Sequence, residues 1–173
     1  MKSGENRDLR QALLDVLTIK DQTDCRREVL EEHLHYALSY REQWPHDIFV
    51  NYVLNPRVED EILFTYREKI NLMFNEEEKR KFQETPSVIW DWITLNIRSC
   101  PEKEHDSLIT LFGAALKLHT ASLRSQKVLF VAIARTLGIP ARLHPVSGTM
   151  EYILESVFVP VLPEEAPDCR LIL

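Results

Sequence analysis

The sequence predicts an α+β domain with a helical N-terminal layer, a central buried helix and a small antiparallel sheet near the C-terminal end. Three observations carry this reading. Val128, Leu129, Val131, Ala132, Ile133 and Leu137 form an apolar band wider than one helical face, which puts this helix in the interior of the domain. Gly138 follows the last apolar turn and Pro140 comes shortly after. Glycine takes the left-handed C-terminal position and proline cannot continue a helix, so Ile139 to Leu143 leaves as extended chain. Beyond it, Ala141 to Pro145, Met150 to Leu154 and Ser156 to Val161 are short segments with β-branched or aromatic residues. Ser147-Gly148-Thr149 makes the turn between the first two, and the set reads as an antiparallel meander.

Ahead of this core the chain is helical. Of four glycines, only Gly4 lies before residue 112, so proline supplies most of the punctuation there. Leu9, Leu13, Leu14, Val16 and Leu17 suit a first amphipathic helix. Asp24 reads as the N-cap of a second, from Cys25 to about Tyr40, with Val29, Leu30, Leu34 and Leu38 inward. After Trp44-Pro45, Asp47 opens a short apolar segment, Ile48 to Leu54, which Asn55-Pro56 ends. Glu59 to Phe74 shows Ile62, Leu63, Tyr66, Ile70 and Met73 at helical spacing, and Glu76 to Phe82 is a charged helical turn or an exposed linker. Thr85-Pro86 reads as an N-cap with proline at the first helical position, opening Ser87 to Ile97. Cys100-Pro101 stops that helix, Glu102 to Ser107 is a polar link, and Leu108 to Leu116 has no type fixed by its pattern. The division is therefore 1–107 helical and 108–173 core helix plus strands, in one domain over 1–173. The apolar run Leu171-Ile-Leu173 leads us to expect further strands in a longer parent chain.

At 173 residues one core is enough, burying roughly 70% of the surface the unfolded chain exposes. A net charge of −6 gives no global basic field to recruit nucleic acid. No apolar run has the length of a membrane span, so membrane insertion is not expected. The polar N-terminus lacks a signal-peptide pattern. The chain as given reads as cytoplasmic, or as periplasmic or secreted if an export signal has been removed. Cys25, Cys100 and Cys169 fit neither a metal pattern nor a disulfide framework and read as free thiols. His33, His35, His46, His105 and His119 show no metal spacing; neither metal nor cofactor is expected.

The run Val131-Ala-Ile-Ala-Arg135-Thr-Leu-Gly138-Ile-Pro-Ala-Arg142 resembles the core helix and following strand of transglutaminase-like domains, a superfamily related to the cysteine proteases. Arg124-Ser125, Pro145-Val-Ser-Gly148 with Glu151-Tyr152, and Asn51 to Val58 with Glu61 and Arg67 resemble a bacterial subgroup found in large multidomain proteins, in which the cysteine is often missing. The resemblance implies a partial transglutaminase or papain-like core. It also implies a nucleophilic cysteine at the N-terminus of the core helix, where the helix dipole favours a thiolate. Aligning on Arg135 places that nucleophile at position 123, where this chain has Leu123. Arg135, Gly138, Pro140 and Arg142 belong to the shared pattern, and the two arginines read as structural ties.

A thiol enzyme also needs an imidazole and a group to orient it. His144 is the sole histidine after Arg142, too early to match the family's histidine, and it reads as surface-facing. Ser122 and Ser125 flank position 123 and are weak nucleophile candidates, but serine is a preferred N-cap and capping accounts for them without chemistry. Arg57 reads as a partner for Glu61. Among the aromatics, Trp90 and Trp92 point to nearly opposite faces of one helix, and Trp90 is the candidate for an exposed protein or glycan contact. The function expected is a non-catalytic transglutaminase-like domain acting as a structural or protein/glycan-interaction module of a larger protein. The alternatives are part of a hydrolase or amide-transfer enzyme whose remaining catalytic residues lie beyond residue 173, and an all-helical adaptor whose likeness over 124–142 is accidental.

Overall fold

The computed structural model describes residues 2–100, 109 and 112–161. The link from Glu102 to Ser107, His105, Cys169 and the Leu171-Ile-Leu173 run lie outside the described residues. The architecture is α+β, and the sheet of three strands contradicts the all-helical alternative.

Helix α9, Leu123–Thr136, is the axis of the fold, with every side chain from Val128 to Thr136 buried. Its end follows the expected stop. Gly138 has φ of +77°, the Gly138 N–H donates to the Arg135 carbonyl at 3.2 Å, and the Ile139 N–H donates to the Ala134 carbonyl at 2.9 Å. These paired backward bonds satisfy carbonyls that a helix end otherwise leaves open. Two side chains close the remainder: Gln83 Nε2 donates to the Leu137 carbonyl and Trp44 Nε1 to the Gly138 carbonyl, each at 2.9 Å.

The chain then forms β3, Ala141–Leu143, β4, Met150–Leu154, and β5, Val157–Pro160, an antiparallel meander in the order β3-β4-β5. Leu154 pairs with Val157 across a two-residue turn, and Glu155 and Ser156 both have positive φ, the geometry that matches the twist of a tight hairpin. One core surrounds α9, with Ile70, Phe74, Phe82, Ile89, Trp90 and Ile93 on its helical side and Ala141 and Met150 from the sheet. A second apolar cluster joins Leu9, Leu13 and Leu17 to Leu34, Phe49, Val53 and Leu54. It makes the helical layer.

That layer departs from the sequence reading in three places. Asp24 is not a cap: it ends a short helix α2, Ile19–Asp24, whose cap is Thr18, accepting the Asp21 N–H. Helix α3, Arg27–Ala37, starts after it and tightens into a 3-10 turn over Leu38–Gln43. The expected helix from Glu59 to Phe74 is shortened to α5, Arg67–Met73. The Glu61 carboxylate accepts the N–H groups of Val58 and Glu59 at 2.7 and 2.8 Å, and α5 starts only where the Glu32 carboxylate of α3 accepts the Tyr66 and Glu68 N–H groups at 3.1 and 2.9 Å. Ile62 is consequently 71% exposed. Asn75 and Glu78 form a reciprocal capping box that makes Glu76–Glu84 the helix α6. Helix α7, Val88–Asn96, is preceded by Ser87, and the Thr85 carbonyl, not its side chain, accepts the Val88 N–H.

The short strands β1, Arg98–Ser99, and β2, Thr120–Ala121, pair in parallel. Between them lies α8, Phe112–Leu118.

Candidate functional site

The first turn of α9 is built by that parallel pair. The Cys100 N–H donates to the Ala121 carbonyl at 3.1 Å, and the buried Gln126 amide donates to the carbonyls of Ile97 and Ala121, each at 3.3 Å. These bonds fix where α9 begins. Ser122 is its N-cap: Ser122 Oγ accepts the Ser125 N–H at 3.2 Å and lies 2.9 Å from Ser125 Oγ. Both serines are buried and hydrogen-bonded to each other.

Leu123 stands at the first position of α9 and is 39% exposed. With Leu143 and Gly148 it lines a cavity of about 270 Å³, rimmed by Glu59, Arg124 and Lys127. Arg124 Nε donates to Glu59 at 2.8 Å, and Nη2 approaches Asp60 at 3.4 Å. Lys127 Nζ donates to the Gly148 carbonyl at 3.3 Å. His144 does not join this cavity. It directly follows Leu143, and successive residues of an extended chain face opposite ways. His144 Nδ1 instead accepts the Val146 and Ser147 N–H groups at 3.3 and 3.2 Å, organising the turn after β3.

The pattern arginines are tied to the backbone and the sheet. Arg135 is buried; its Nε donates to the Ala141 carbonyl at 2.9 Å and its Nη1 to the carbonyls of Asn55 and Arg57 at 2.8 and 2.7 Å. Burial pulls the Arg135 guanidinium down to about 10, which leaves it charged at neutral pH. Arg142 Nε donates to Glu151 at 2.7 Å, and its guanidinium lies 3.8 Å over the Phe158 ring, with Tyr52 edge-on to Phe158. The Pro140 carbonyl accepts the Ile153 N–H at 2.9 Å and so ties the helix exit to β4.

Sequence reasoning missed the partner of Arg135. Arg67, fully buried, donates through Nη2 to the Val53 and Leu54 carbonyls, through Nη1 to the Arg135 carbonyl at 3.1 Å, and through Nε to His33 Nδ1 at 2.8 Å. Val53 and Leu54 end a π-helical segment, Val50–Leu54, that continues the short helix α4, His46–Phe49. Arg67 and Arg135 thus bring cations and donors to the carbonyl end of that helix, where orphan acceptors and the dipole both favour them. Arg57 pairs with the Asp21 carboxylate, Nε to Oδ2 at 3.0 Å, and reaches only the carbonyl of Glu61. This corrects the expected Arg57–Glu61 ion pair: the Glu61 carboxylate is already taken by backbone donors.

Because His33 Nδ1 accepts from Arg67, Nε2 carries the proton and donates to the Phe64 carbonyl, 3.2 Å away. Burial first, and the Arg67 charge second, hold His33 well below the ordinary imidazole value. The unfolded chain takes up this proton near pH 6.5 and the folded one refuses it, so stability falls as pH drops below about 6.5. Glu32, raised by burial, opposes this at lower pH, because its folded form protonates first. Between pH 7.5 and 5.5 the wild type should lose about 1 kcal/mol more than His33→Asn, whose amide can still accept from Arg67. Urea denaturation at the two pH values checks this.

Trp90 is not an exposed contact; it is 8% exposed and belongs to the core around α9. Trp92 is half-buried: Phe74 packs edge-on against it at 4.9 Å and against Phe82 at 4.9 Å, while Leu95 leaves a third side of α7 open at 86% exposure. Cys25 and Cys100 are free thiols, and burial followed by the Asp21 charge pushes the Cys25 thiol up, against the pull of Arg57. Among the described residues no group of three or more His, Cys, Asp and Glu side chains could hold a metal ion, and no helix is long and apolar enough to cross a membrane. Comparison with protein-family models, with curated proteins and with solved structures finds no match to this chain.

Proposed function

We propose that this chain is a non-catalytic, transglutaminase-like domain that serves as an interaction module of a larger protein. One observation carries the reading. The position that the resemblance assigns to the nucleophile is Leu123, an exposed aliphatic side chain on a cavity wall at the first turn of α9. Acyl transfer there requires a thiolate or an activated hydroxyl. Leucine supplies neither, and the adjacent serine hydroxyls are engaged in the helix cap. An apolar wall with charged rim residues is a surface that can receive a ligand. Burial of Trp90 removes the side chain on which the glycan alternative rested, which favours a protein partner.

The test is turnover. Incubated with a glutamine-rich acceptor protein and a fluorescent primary amine, the chain should incorporate amine at the rate of the protein-free control. Incorporation above that rate, lost in Cys100→Ser or Ser125→Ala, overturns the proposal.

A further inference from the structure

Two successive residues tie helix α3 to the segment 64–68, and both titrate. The Glu32 carboxylate accepts the N–H groups of Tyr66 and Glu68 at 3.1 and 2.9 Å. The His33 ring accepts from Arg67 Nε at 2.8 Å and lies 3.2 Å from the Phe64 carbonyl. Each residue serves in one protonation state. An ionised carboxylate accepts with both oxygens, and a neutral imidazole accepts at one nitrogen while donating at the other. An imidazolium donates at both, so a proton on Nδ1 would set donor against donor at Arg67 and place a second cation beside its guanidinium. Both side chains are buried, where such a pair is costly. The closed arrangement excludes that proton, and an open one admits it.

We infer that Glu32 and His33 form an acid-labile clasp, which opens by taking a proton onto His33 and releases 64–68 from α3 while α9 and its core stay folded. The release is local because the clasp holds the start of α5, a helix of seven residues, too short to persist without its neighbours. The buried α9 does not depend on these bonds. The charged and titratable groups about the imidazole are Glu32 and Tyr36 on α3, Tyr40 on the 3-10 turn, Tyr66, Arg67 and Glu68 on the clasped segment, and Arg135 on α9, whose carbonyl shares the Arg67 fork. Arg10 of α1 is paired with Glu31, and the π-helical segment offers Arg67 the carbonyls of Val53 and Leu54. Glu32 opposes the trend at lower pH: burial raises its carboxyl, so the closed form takes that proton first and the acid response flattens. Glu59 and Asp60, which hold Arg124 on the rim of the cavity at Leu123, lie just ahead of 64–68, so opening the clasp loosens that rim.

Hydrogen exchange of the whole chain tests this, read residue by residue by NMR at pH 7.5 and 5.5 and expressed as protection factors so that the intrinsic pH dependence of exchange cancels. An opening coupled to one proton of ordinary imidazole affinity becomes about tenfold more frequent over this range. The Tyr66 and Glu68 amides should lose about tenfold in protection, and at both pH values they should stay less protected than Val131 and Ile133 of α9. His33→Asn, whose amide can still accept from Arg67, should bring that loss below about twofold. The wild-type chain gives an independent reading through the ring nitrogens of His33, which should show the neutral Nε2–H form down to pH 5.5. Unchanged protection overturns the inference, as does an equal loss in His33→Asn. Protection of Tyr66 and Glu68 equal to that of Val131 and Ile133 also overturns it, in favour of global unfolding. Titration of the His33 ring near pH 6.5 contradicts it as well, since the proton would then enter the closed clasp.

Discussion

Arg67→Met should lower the unfolding free energy by about 3–5 kcal/mol, the range for removing one member of a fully buried charged network. Methionine approximates the length of the arginine stem, so the loss isolates the hydrogen bonds more than the volume. The substitution strands three acceptors at once, the carbonyls of Val53 and Leu54 and His33 Nδ1, and removes the second donor from the Arg135 carbonyl, which keeps the Gly138 N–H. An unsatisfied buried polar group costs about 1–3 kcal/mol, and partial relaxation keeps the sum below simple addition. Arg67→Lys keeps the charge but not the planar fork, and it should fall between the two. Urea denaturation followed by tryptophan fluorescence reads this out. A loss under about 1 kcal/mol for the methionine variant would show that the network contributes little to folding.

Gly138→Ala should cost about 2–5 kcal/mol, from left-handed backbone strain of about 1–2 kcal/mol together with overpacking of about 1–3 kcal/mol. The φ of +77° disfavours any side chain, and a Cβ there would lie 2.2 Å from Tyr40 Cδ1 and 2.3 Å from Cγ. The ring cannot withdraw freely, since Tyr40 packs against the apolar cluster of the helical layer. The two contributions separate in a double-mutant cycle. In a Tyr40→Ala background the clash disappears, and Gly138→Ala should cost only about 1 kcal/mol of backbone strain. Equal costs in both backgrounds would contradict the close approach.

The difference between what could and could not be read from the chain follows from the range of the interactions. Helix α9, its glycine stop and the hairpin strands are encoded by neighbours: apolar periodicity, a left-handed glycine and a proline act within a few residues. The serine cap is equally local. The Arg67 network joins residues far apart in sequence, to Arg135 across 68 positions and to His33 across 34, and no periodicity announces such a pairing. Arg67 was visible only as part of a resemblance, without a role. The Glu59 to Phe74 error has a similar origin, because the start of α5 is capped by the Glu32 carboxylate, 34 and 36 positions away, which accepts the Tyr66 and Glu68 N–H groups. Trp90 was misplaced because which tryptophan faces α9 depends on how α7 is rotated against the core: Trp90 lies in that core and Trp92 is half-covered by Phe74, a residue outside α7. The cavity at Leu123 forms where α9 meets the turn after β3 and the Glu59 loop, a juxtaposition that only the fold creates.

The central claim is that the first turn of α9 offers a surface and not a nucleophile. Intact-mass spectrometry with peptide mapping, after exposure to iodoacetamide and separately to a fluorophosphonate, tests it most directly. Cys25 and Cys100 should alkylate no faster than free cysteine, and no serine should be labelled. A thiol that reacts orders of magnitude faster than free cysteine, or a phosphonate adduct on Ser122 or Ser125, would contradict it.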